Sequence, residues 1–349
     1  MAGARALQRG HLVDAYGHGV HPADLGIGAF EAWLPGTAAP HTTLFDSPAG
    51  FAVRRWCPPL LGLEPHCAPA RYLARRRELG AYESVRRLLR GTGVDTYLVD
   101  TGEPGELVPP AELAAAGGAA AYEIVRLEQM AQQVADTSGT AGGFLANLAE
   151  SARGAALGAV GFACAAEELD GGPPGPSELG SAAARWLGSR RVGERPADPV
   201  LLRHLAWQAV AEGLPLLLRH RQDGPGPDAA ARFLRDTAGE GTDVVLLPGP
   251  AHETAAARLA GELAHVYVGV GGDPGPVLAL APFGKVLYAG GAVGLAELHV
   301  AAARGFRAAL ESFAAARVGA GEWSASDAGR VAALVGAENA RRVFGLPAG

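Results

Sequence analysis

The segment His11-Leu-Val-Asp-Ala-Tyr16-Gly-His18-Gly-Val20 decides the fold of this chain. Residues 12–15 predict a short strand, and two side chains suited to chemistry, Tyr16 and His18, follow it directly. Strands that are apolar along their whole length are typical of parallel sheets that are buried on both faces. In such folds the chemistry lies in the segments that follow the strands.

Seven further runs of the same kind follow, separated by Ala/Leu/Arg-rich stretches with helical spacing. We predict strands at residues 12–15, 96–99, 122–127, 158–163, 214–219, 244–247, 266–270 and 286–289. We predict helices at residues 71–90, 177–189, 198–212, 227–238, 294–318 and 324–335. Eight alternating units predict an α/β fold, a TIM-type (β/α)8 barrel. Residues 26–69 hold several prolines and no such unit, so they predict an inserted segment over the barrel mouth, within a single domain spanning residues 1–349.

Composition limits the class of protein. The net charge of −6 gives no basic footprint for nucleic acid, and no apolar run is long enough to predict a membrane helix. The first ten residues lack the apolar region of a secretory signal, and Cys57, Cys67 and Cys164 fit a reducing compartment better than a disulfide framework. We therefore expect a cytoplasmic protein with a small-molecule partner and with neither nucleic acid nor membrane as a partner. Homo-oligomer formation is left open.

A single lysine, Lys285, stands among 30 basic residues. Schiff-base catalysis needs a lysine amine, but Lys285 precedes the last predicted strand and so lies at the wrong end of the barrel. The sequence contains no Walker A loop, no HExxH motif and no dinucleotide-binding fingerprint. We predict that no cofactor is needed.

Several segments in order carry a resemblance. They are Val13-Asp14-Ala-Tyr-Gly-His18-Gly, Asp198-Pro-Val-Leu-Leu-Arg-His204, Gly213-Leu-Pro-Leu216, Pro282-Phe-Gly-Lys-Val-Leu-Tyr288, Glu297-Leu-His299 and Asn339-Ala-Arg-Arg-Val-Phe-Gly-Leu346. With them the chain resembles the metal-dependent amidohydrolase superfamily, in the branch that includes barrel domains fused to glutamine synthetase-like proteins. The resemblance covers nearly the whole chain and implies the same barrel.

The resemblance also implies a divalent metal that is held at the barrel mouth and activates a water molecule. Its ligands would be a His-x-His after the first strand, often a lysine after the fourth, histidines after the fifth and sixth, and an aspartate after the eighth. The corresponding positions here hold Tyr16, Ala163-Cys164, Arg219, Pro248 and Gly290. Because a catalytic zinc site needs three protein ligands, we predict that no metal is bound.

Polar residues at the predicted strand ends are the remaining candidates for the site. We predict catalytic roles for Tyr16, His18, Glu128, His220 and His252, and substrate-binding roles for Arg219, Glu167, His66 and Gly291. Alternatives stay open: Tyr16 could plug the barrel, and Arg219 could pair either with a protein carboxylate, Glu128 or Glu167, or with a ligand anion. The glycine-rich segments 269–273 and 290–294 could supply backbone N–H groups to an anion.

Two functions are compatible with these residues. The first is a metal-independent amidohydrolase-fold enzyme that acts by acid–base chemistry on a C–N bond, by hydrolysis, elimination or transfer. Its substrate would be small and polar or anionic, and the resemblance suggests an amino-acid or γ-glutamyl-like compound. The second is a non-catalytic homologue that binds a ligand or an active partner.

Overall fold

The computed structural model describes residues 11–102, 105–165 and 169–348. Eight parallel strands form one sheet in the order of the sequence: β1 (Leu12–Gly17), β2 (Val94–Asp100), β3 (Ala120–Arg126), β4 (Gly161–Ala165), β5 (Leu216–Arg219), β6 (Val244–Leu247), β7 (Val266–Val270) and β8 (Val286–Tyr288). The two ends of the sheet meet where the N–H of Gly291 donates to the Tyr16 carbonyl at 2.7 Å and the N–H of His18 donates to the Ala292 carbonyl at 2.9 Å. The predicted TIM-type barrel is confirmed.

Helices surround the sheet. They are α1 (Ile27–Glu31), α2 (Pro48–Trp56), α3 (Pro69–Leu79), α4 (Ala81–Arg90), α5 (Pro110–Gly117), α6 (Leu127–Asp136), α7 (Ala141–Ala156), α8 (Pro176–Ser189), α9 (Pro199–Ala211), α10 (Ala231–Asp236), α11 (Glu253–Glu262), α12 (Gly275–Leu278), α13 (Ala296–Gly319), α14 (Ala325–Ala333) and α15 (Asn339–Val343). Several helices begin with proline in the first turn. Proline lacks a backbone N–H, but the N–H groups of the first turn have no partner within the helix, so no hydrogen bond is lost.

Some predicted boundaries were wrong. The single helix predicted at 71–90 is two helices, because Gly80 has a φ of +80° and ends α3 before α4 begins. The helix predicted at 227–238 is a 3₁₀ turn, Pro227–Ala230, followed by α10. The fourth strand begins at Gly161 and extends to Ala165, two residues beyond its predicted end.

The barrel interior is a separate apolar layer inside the sheet. Its buried residues from the strands are Val13, Ala15, Tyr16, Leu98, Ile124, Ala163, Leu217, Val245, Tyr267 and Leu287. Neighbouring strand residues such as Phe162 and Leu218 belong instead to the larger core between the sheet and the helices. This alternation, which follows from the pleat of a strand, decides which side chains reach the barrel mouth.

The inserted segment 26–69 contains α1, α2 and no strand. Trp33 packs against Gly294 beside the β1 end of the mouth, and the Cys57 thiol lies 3.7 Å from the carbonyl oxygen of Glu297 in α13. Glu297 also forms a buried ion pair at 2.8 Å with Arg76 of α3, the helix that follows the segment. The segment is therefore fixed to the β1 and β8 side of the barrel.

Two smaller expectations concern cysteines and membranes. Cys57, Cys67 and Cys164 are buried, and each carries a free thiol. Across the described ranges, no helix combines the length and apolar character that crossing a bilayer requires.

Candidate active site

The last inward-facing residue of each strand forms a ring at the C-terminal end of the barrel. This mouth ring consists of Tyr16, Asp100, Arg126, Ala165, Arg219, Leu247, Gly269 and Ala289. Its members point inward because the residues two positions earlier on β2 to β8 lie in the barrel interior. Cys164, considered for the mouth from the sequence, belongs to the outer core, and Ala165 takes the inward position.

Tyr16, Asp100 and Arg126 close one side of the mouth ring with a buried hydrogen-bond network. The Tyr16 hydroxyl donates to Asp100 Oδ2 at 2.7 Å, and Arg126 donates to the same oxygen from Nε at 2.8 Å and from Nη2 at 2.6 Å. Arg126 Nη2 also donates to the Tyr16 hydroxyl at 3.0 Å. The hydroxyl hydrogen of Tyr16 is thus already donated to Asp100. This favours the interpretation that Tyr16 fills the end of the barrel over the one in which it donates a proton to the substrate.

The charges of this network fix its protonation. Burial, and then the nearby Asp100 charge, raise the pKa of Tyr16 well above its ordinary value of 10. Burial alone would raise the pKa of Asp100, but Arg126, with smaller help from His18, holds it below its ordinary value of 3.8. Asp100 therefore stays ionised and Tyr16 stays neutral at physiological pH. Sequence reasoning missed both Asp100 and Arg126.

His18 lies behind the network. Its ring is 4% exposed, Nδ1 lies 3.0 Å from the Asp100 carbonyl oxygen, and the ring meets Tyr16 edge-on with centroids 5.1 Å apart. Among the described residues it does not line the mouth cavity. Its position suits support of Asp100 and Tyr16 better than contact with a ligand.

The other side of the mouth is open. A cavity of about 660 Å³ is bounded by Tyr16, Ala165, Arg219, His220, Arg221, Leu247, Pro248, Pro250, Glu253, Gly269, Gly271, Gly272, Asp273, Pro276, Ala289, Gly290 and Gly291. We call this space the mouth cavity. It exists because the mouth ring carries only Leu247, Gly269 and Ala289 over β6 to β8. A Cβ atom on Gly269 would lie 2.7 Å from Leu247 Cδ2 and 2.8 Å from Ala289 Cβ, so glycine is required there.

His220 is the buried polar group of the mouth cavity. It is 8% exposed, and the backbone of Pro225 is a polar contact that acts to raise its pKa. Burial, and then the neighbouring His252, lower the pKa of His220 to about 4. It is therefore a neutral imidazole at physiological pH. His252 is half-buried outside the cavity lining, with its Nδ1 2.9 Å from the place of a Cβ on Gly226.

Arg219 stands between the mouth cavity and a second cavity. The second cavity, of about 390 Å³, is also lined by Arg126, Glu128 and Arg195. Glu128 is 6% exposed; its Oε1 accepts from the Ala165 N–H at 2.6 Å, while Oε2 makes no hydrogen bond in the described part of the chain. Glu167, the remaining carboxylate predicted here, lies outside the described residues.

The expected anion cradle at residues 290–294 is not available as predicted. The N–H of Gly290 donates to Asp14 Oδ1 at 2.7 Å, and the N–H of Gly291 donates to the Tyr16 carbonyl. Gly291 lines the mouth cavity, but its donor is spent on barrel closure. Asp14 is fully buried beneath it, and burial raises the pKa of Asp14 to about 7 against the two backbone N–H groups that lower it.

His66 is not brought to the site. It is exposed, its backbone has a φ of +60°, and its ring packs 6.2 Å from Phe51. It does not line the mouth cavity.

Two carboxylates that sequence reasoning missed line the mouth cavity instead. Glu253 opens α11 after β6, and Asp273 follows β7. Burial, and then the Asp273 charge, raise the pKa of Glu253 above its ordinary value. The signal for both was their place just after strands six and seven.

The donors present do not fit the metal that the sequence resemblance implies. In residues 11–102, 105–165 and 169–348, no three His, Cys, Asp or Glu side chains lie close enough together to hold an ion. Asp100, the one carboxylate of the mouth ring, is already held by Arg126. A guanidinium and a phenol at neighbouring ring positions are poor ligands for Zn²⁺.

Known structures share this architecture. A protein of Lactobacillus casei ATCC 334, provisionally named a metal-dependent hydrolase, matches with a TM-score of 0.83 and 18% identity over 98% of this chain and 97% of its own. A uronate isomerase from Thermotoga maritima gives 0.68 and 12% identity over 98% and 97%, and a glucuronate isomerase from Caulobacter crescentus gives 0.66 and 12% over 100% and 95%. No protein-family model and no curated protein matches the chain. The chain thus shares the barrel fold of these structures, and at 12–18% identity the likeness is one of fold.

Proposed function

We propose that the protein is a metal-independent enzyme that acts by acid–base chemistry at a C–N bond of a small anionic substrate. His220 carries this proposal, because a neutral imidazole that is 8% exposed lines the mouth cavity together with Arg219, the preceding residue of the chain. A titratable group whose pKa is strongly shifted and which lines a cleft is a candidate for a functional role.

Arg219 would bind the anionic group of the substrate. It projects from the end of β5 into the mouth cavity, and its planar guanidinium can grip a carboxylate with two parallel hydrogen bonds. A guanidinium has five N–H donors, so it can serve a protein partner and a ligand together. The uronates for which two structural neighbours are named also carry a carboxylate.

His220 would then move the proton. For hydrolysis, the oxygen of a water molecule attacks the amide carbonyl carbon while His220 takes the proton from that water. The C–N bond breaks as the imidazolium returns the proton to the leaving nitrogen, so the enzyme ends as it began. A pKa near 4 makes a weak base, but a bound carboxylate nearby favours the imidazolium and raises that pKa. Glu128, with its unpaired buried Oε2 beside Arg219, is the second candidate for the base.

Metal independence is part of the proposal and rests on the donor set. The positions that would face a metal hold the Tyr16–Asp100–Arg126 network on one side and Ala165, Leu247 and other non-ligating side chains on the other. In this network the Arg126 guanidinium neutralises Asp100, so that carboxylate has its cation already. For the substrate, the resemblance to barrels fused to glutamine synthetase-like proteins favours amino-acid or γ-glutamyl-like amides.

A panel of γ-glutamyl amides and other carboxylate-bearing amides tests the proposal, with ammonia or amine release as the readout, measured once with a chelator and once with added Zn²⁺ or Mn²⁺. We expect turnover by the wild type, loss of turnover in His220→Asn, and no change in His41→Asn. His41 is an exposed histidine with a φ of +63°, a backbone conformation that asparagine accepts. Turnover that needs added Zn²⁺ or Mn²⁺ would show that metal independence is wrong.

The non-catalytic alternative has its own support. In the Tyr16–Asp100–Arg126 network, the polar groups of three ring positions form hydrogen bonds with one another and not with a ligand. Binding of a panel compound in the mouth cavity without release of product from any of them would favour this reading.

A further inference from the structure

A groove at the opposite end of the barrel gathers arginine side chains. It has a volume of about 410 Å³ and is bounded by Trp56, Arg90, Gly91, Thr92, Gly93, Arg304, Arg307, Ala308 and Glu311. Residues 91–93 directly precede β2, so the groove lies at the N-terminal end of the strands. It shares no lining residue with the mouth cavity. We call this space the basal groove, and it is separate from the candidate active site.

Backbone carbonyl groups hold two of these guanidiniums in place. Arg304 Nε donates to the Gly91 carbonyl at 3.0 Å, and Arg307 Nη2 donates to the Gly93 carbonyl at 2.6 Å. Gly93 has a φ of +70°, and a Cβ atom there would lie 2.5 Å from Arg307 Nη1, so glycine lets the loop approach the guanidinium. Because a guanidinium has five N–H donors, Arg304 keeps donors for a ligand after its contact with Gly91.

Positive charge is in excess in the basal groove. Within the described ranges, Arg90 and Arg304 form no ion pair with a carboxylate. On the same helix as Arg90, by contrast, Arg86 pairs with Glu83 at 2.7 Å. Glu311 is the one carboxylate among the described residues that line the groove, against three guanidiniums. This excess is opposite in sign to the net charge of the whole chain, which is −6.

The positive charges also lie close to one another and to an apolar wall. Burial lowers the pKa of Arg307, and the nearby charge of Arg304 acts in the same direction. Arg304 Cζ lies 5.8 Å from the centroid of the Trp56 ring, and Arg55 Cζ lies 4.2 Å from it. A cleft that is lined by charges of one sign and by apolar walls concentrates counter-ions. The basal groove is therefore suited to an anion.

We propose that the basal groove binds the phosphoryl group of a small molecule, with Arg90, Arg304 and Arg307 as its ligands. A phosphoryl group carries up to two negative charges at neutral pH and has three acceptor oxygens, so it can use several guanidiniums at once. The planar fork of arginine matches phosphate with two parallel hydrogen bonds. The proposal is independent of the function proposed above, because the two sites lie at opposite ends of the barrel.

Calorimetric titration of the whole chain with inorganic phosphate tests this proposal. We expect saturable binding of phosphate at low ionic strength, and no such binding of chloride at the same ionic strength, since screening alone does not distinguish the two anions. Arg90→Gln and Arg304→Gln should each weaken phosphate binding about tenfold or more, the loss expected for one hydrogen bond between charged groups. Because Arg219 at the mouth is a second candidate for an anion, these variants assign the binding to the groove.

Two further variants supply the control and the opposite sign. Arg235→Gln removes the same charge from an exposed arginine near the end of α10 that forms no ion pair within the described chain. It should leave phosphate binding unchanged. Glu311→Gln removes the carboxylate that opposes the anion, so it should tighten phosphate binding. Melting temperatures confirm that each variant is folded.

The outcomes decide the proposal. It is wrong if phosphate does not saturate the wild type, if both groove variants bind phosphate as the wild type does, or if Arg235→Gln weakens binding as much as Arg90→Gln. Weaker binding in Glu311→Gln also contradicts it. Arg304→Gln loses the contact with Gly91 and is the variant at risk of unfolding. Arg90 is exposed, so Arg90→Gln should fold and then decides the question alone.

Discussion

The Tyr16 hydroxyl donates to Asp100 Oδ2 across 2.7 Å, where the first two strands of the barrel end. Asp100 takes two further hydrogen bonds on this oxygen from Arg126, at the end of the third strand. One carboxylate thus joins three successive strands at the mouth. This contact closes one side of the mouth, and the open side begins where the mouth ring carries Ala165.

Removing the Tyr16 hydroxyl tests its place in the network. Tyr16→Phe should lower the free energy of unfolding by about 1–2 kcal/mol, because a buried hydrogen bond to a charged group is lost while the Asp100–Arg126 ion pair remains. Urea denaturation measures the change. Tyr82→Phe is the control and should change little, since Tyr82 is 67% exposed. Equal effects of the two substitutions would contradict the network's role.

Arg126→Met should cost far more, about 3–5 kcal/mol at neutral pH, because Asp100 would remain buried with its charge uncompensated. The loss should depend on pH. In the wild type the pKa of Asp100 lies below 3.8, so its contribution to stability is present above that pH and disappears as the pH falls through the lowered value. Without Arg126, burial raises this pKa, and the variant recovers stability as acid protonates the carboxyl.

Unfolding free energies at neutral and at mildly acidic pH check this sign. The gap between wild type and Arg126→Met should shrink as the pH falls. Arg185→Met is the control, because the ion pair of Arg185 with Asp198 at 3.3 Å is exposed and contributes little. A gap that widens in acid would contradict the assignment.

The contribution of Asp14 to stability changes with pH in the opposite direction from that of Asp100. Its pKa of about 7 lies above the ordinary 3.8, so the folded state favours the protonated carboxyl. Stability from this group is full below pH 3.8 and falls as the pH rises towards 7, by up to about 1.4 kcal/mol per pH unit. Asp14→Asn keeps an oxygen for the Gly290 N–H and should abolish this fall.

The measurement for Asp14 is a series of unfolding free energies between mildly acidic and mildly basic pH. Subtracting wild type from Asp14→Asn removes the pH dependence of other groups. The difference should grow in favour of the variant as the pH rises and level off above 7. Asp236→Asn, a change at a more exposed aspartate, should give a flat difference.

The interior of the barrel could be predicted from the sequence, but the polar contacts at its mouth could not. Runs such as Leu216–Arg219 are typical of strands buried on both faces, and their alternation with helical stretches predicts eight strands in chain order. Register is different, because a shift of one residue reverses which side chains face inward. The fourth strand was predicted to end at residue 163, so Cys164 was expected at the mouth, where the structure has Ala165. Arg126 was predicted to lie inside the third strand and not at its end, so its ion pair with Asp100 was not expected.

In a chain with 50 glycines, the sequence alone does not show at which positions glycine is structurally required. The structure separates them by what a Cβ atom would meet. At Gly294 it would lie 2.2 Å from the Trp33 ring, whereas at Gly321, which has nearly the same φ, it would meet nothing within 4 Å. Sequence carries neither distance, because Trp33 and Gly294 are distant in the chain.

This contrast gives a matched pair. Both Gly294→Ala and Gly321→Ala place a Cβ atom on a left-handed backbone, at φ of +76° and +75°, which destabilises the folded state by a similar amount. Only Gly294→Ala also forces Trp33 to move, so it should be less stable than Gly321→Ala by about 1–3 kcal/mol. Thermal unfolding of the two variants measures the difference. Equal losses would mean that Trp33 yields without cost, and that the inserted segment is held elsewhere.

Arg219 distinguishes an anion site from a structural arginine. Arg219→Met should weaken binding of a simple carboxylate such as butyrate by roughly 2–5 kcal/mol, the range for truncating one partner of a buried charge pair. Arg219→Lys should lie between, since it keeps the charge and loses the planar fork. Arg221→Met is the control: Arg221 lines the same cavity, but its side chain is 67% exposed and pairs with Asp223 at 3.2 Å.

If Arg219 has only a structural role in the barrel, Arg219→Met should lower the melting temperature and leave butyrate affinity unchanged in the folded protein. Calorimetry and thermal unfolding on the same three variants decide between these outcomes, because the first reports the ligand and the second reports the brace.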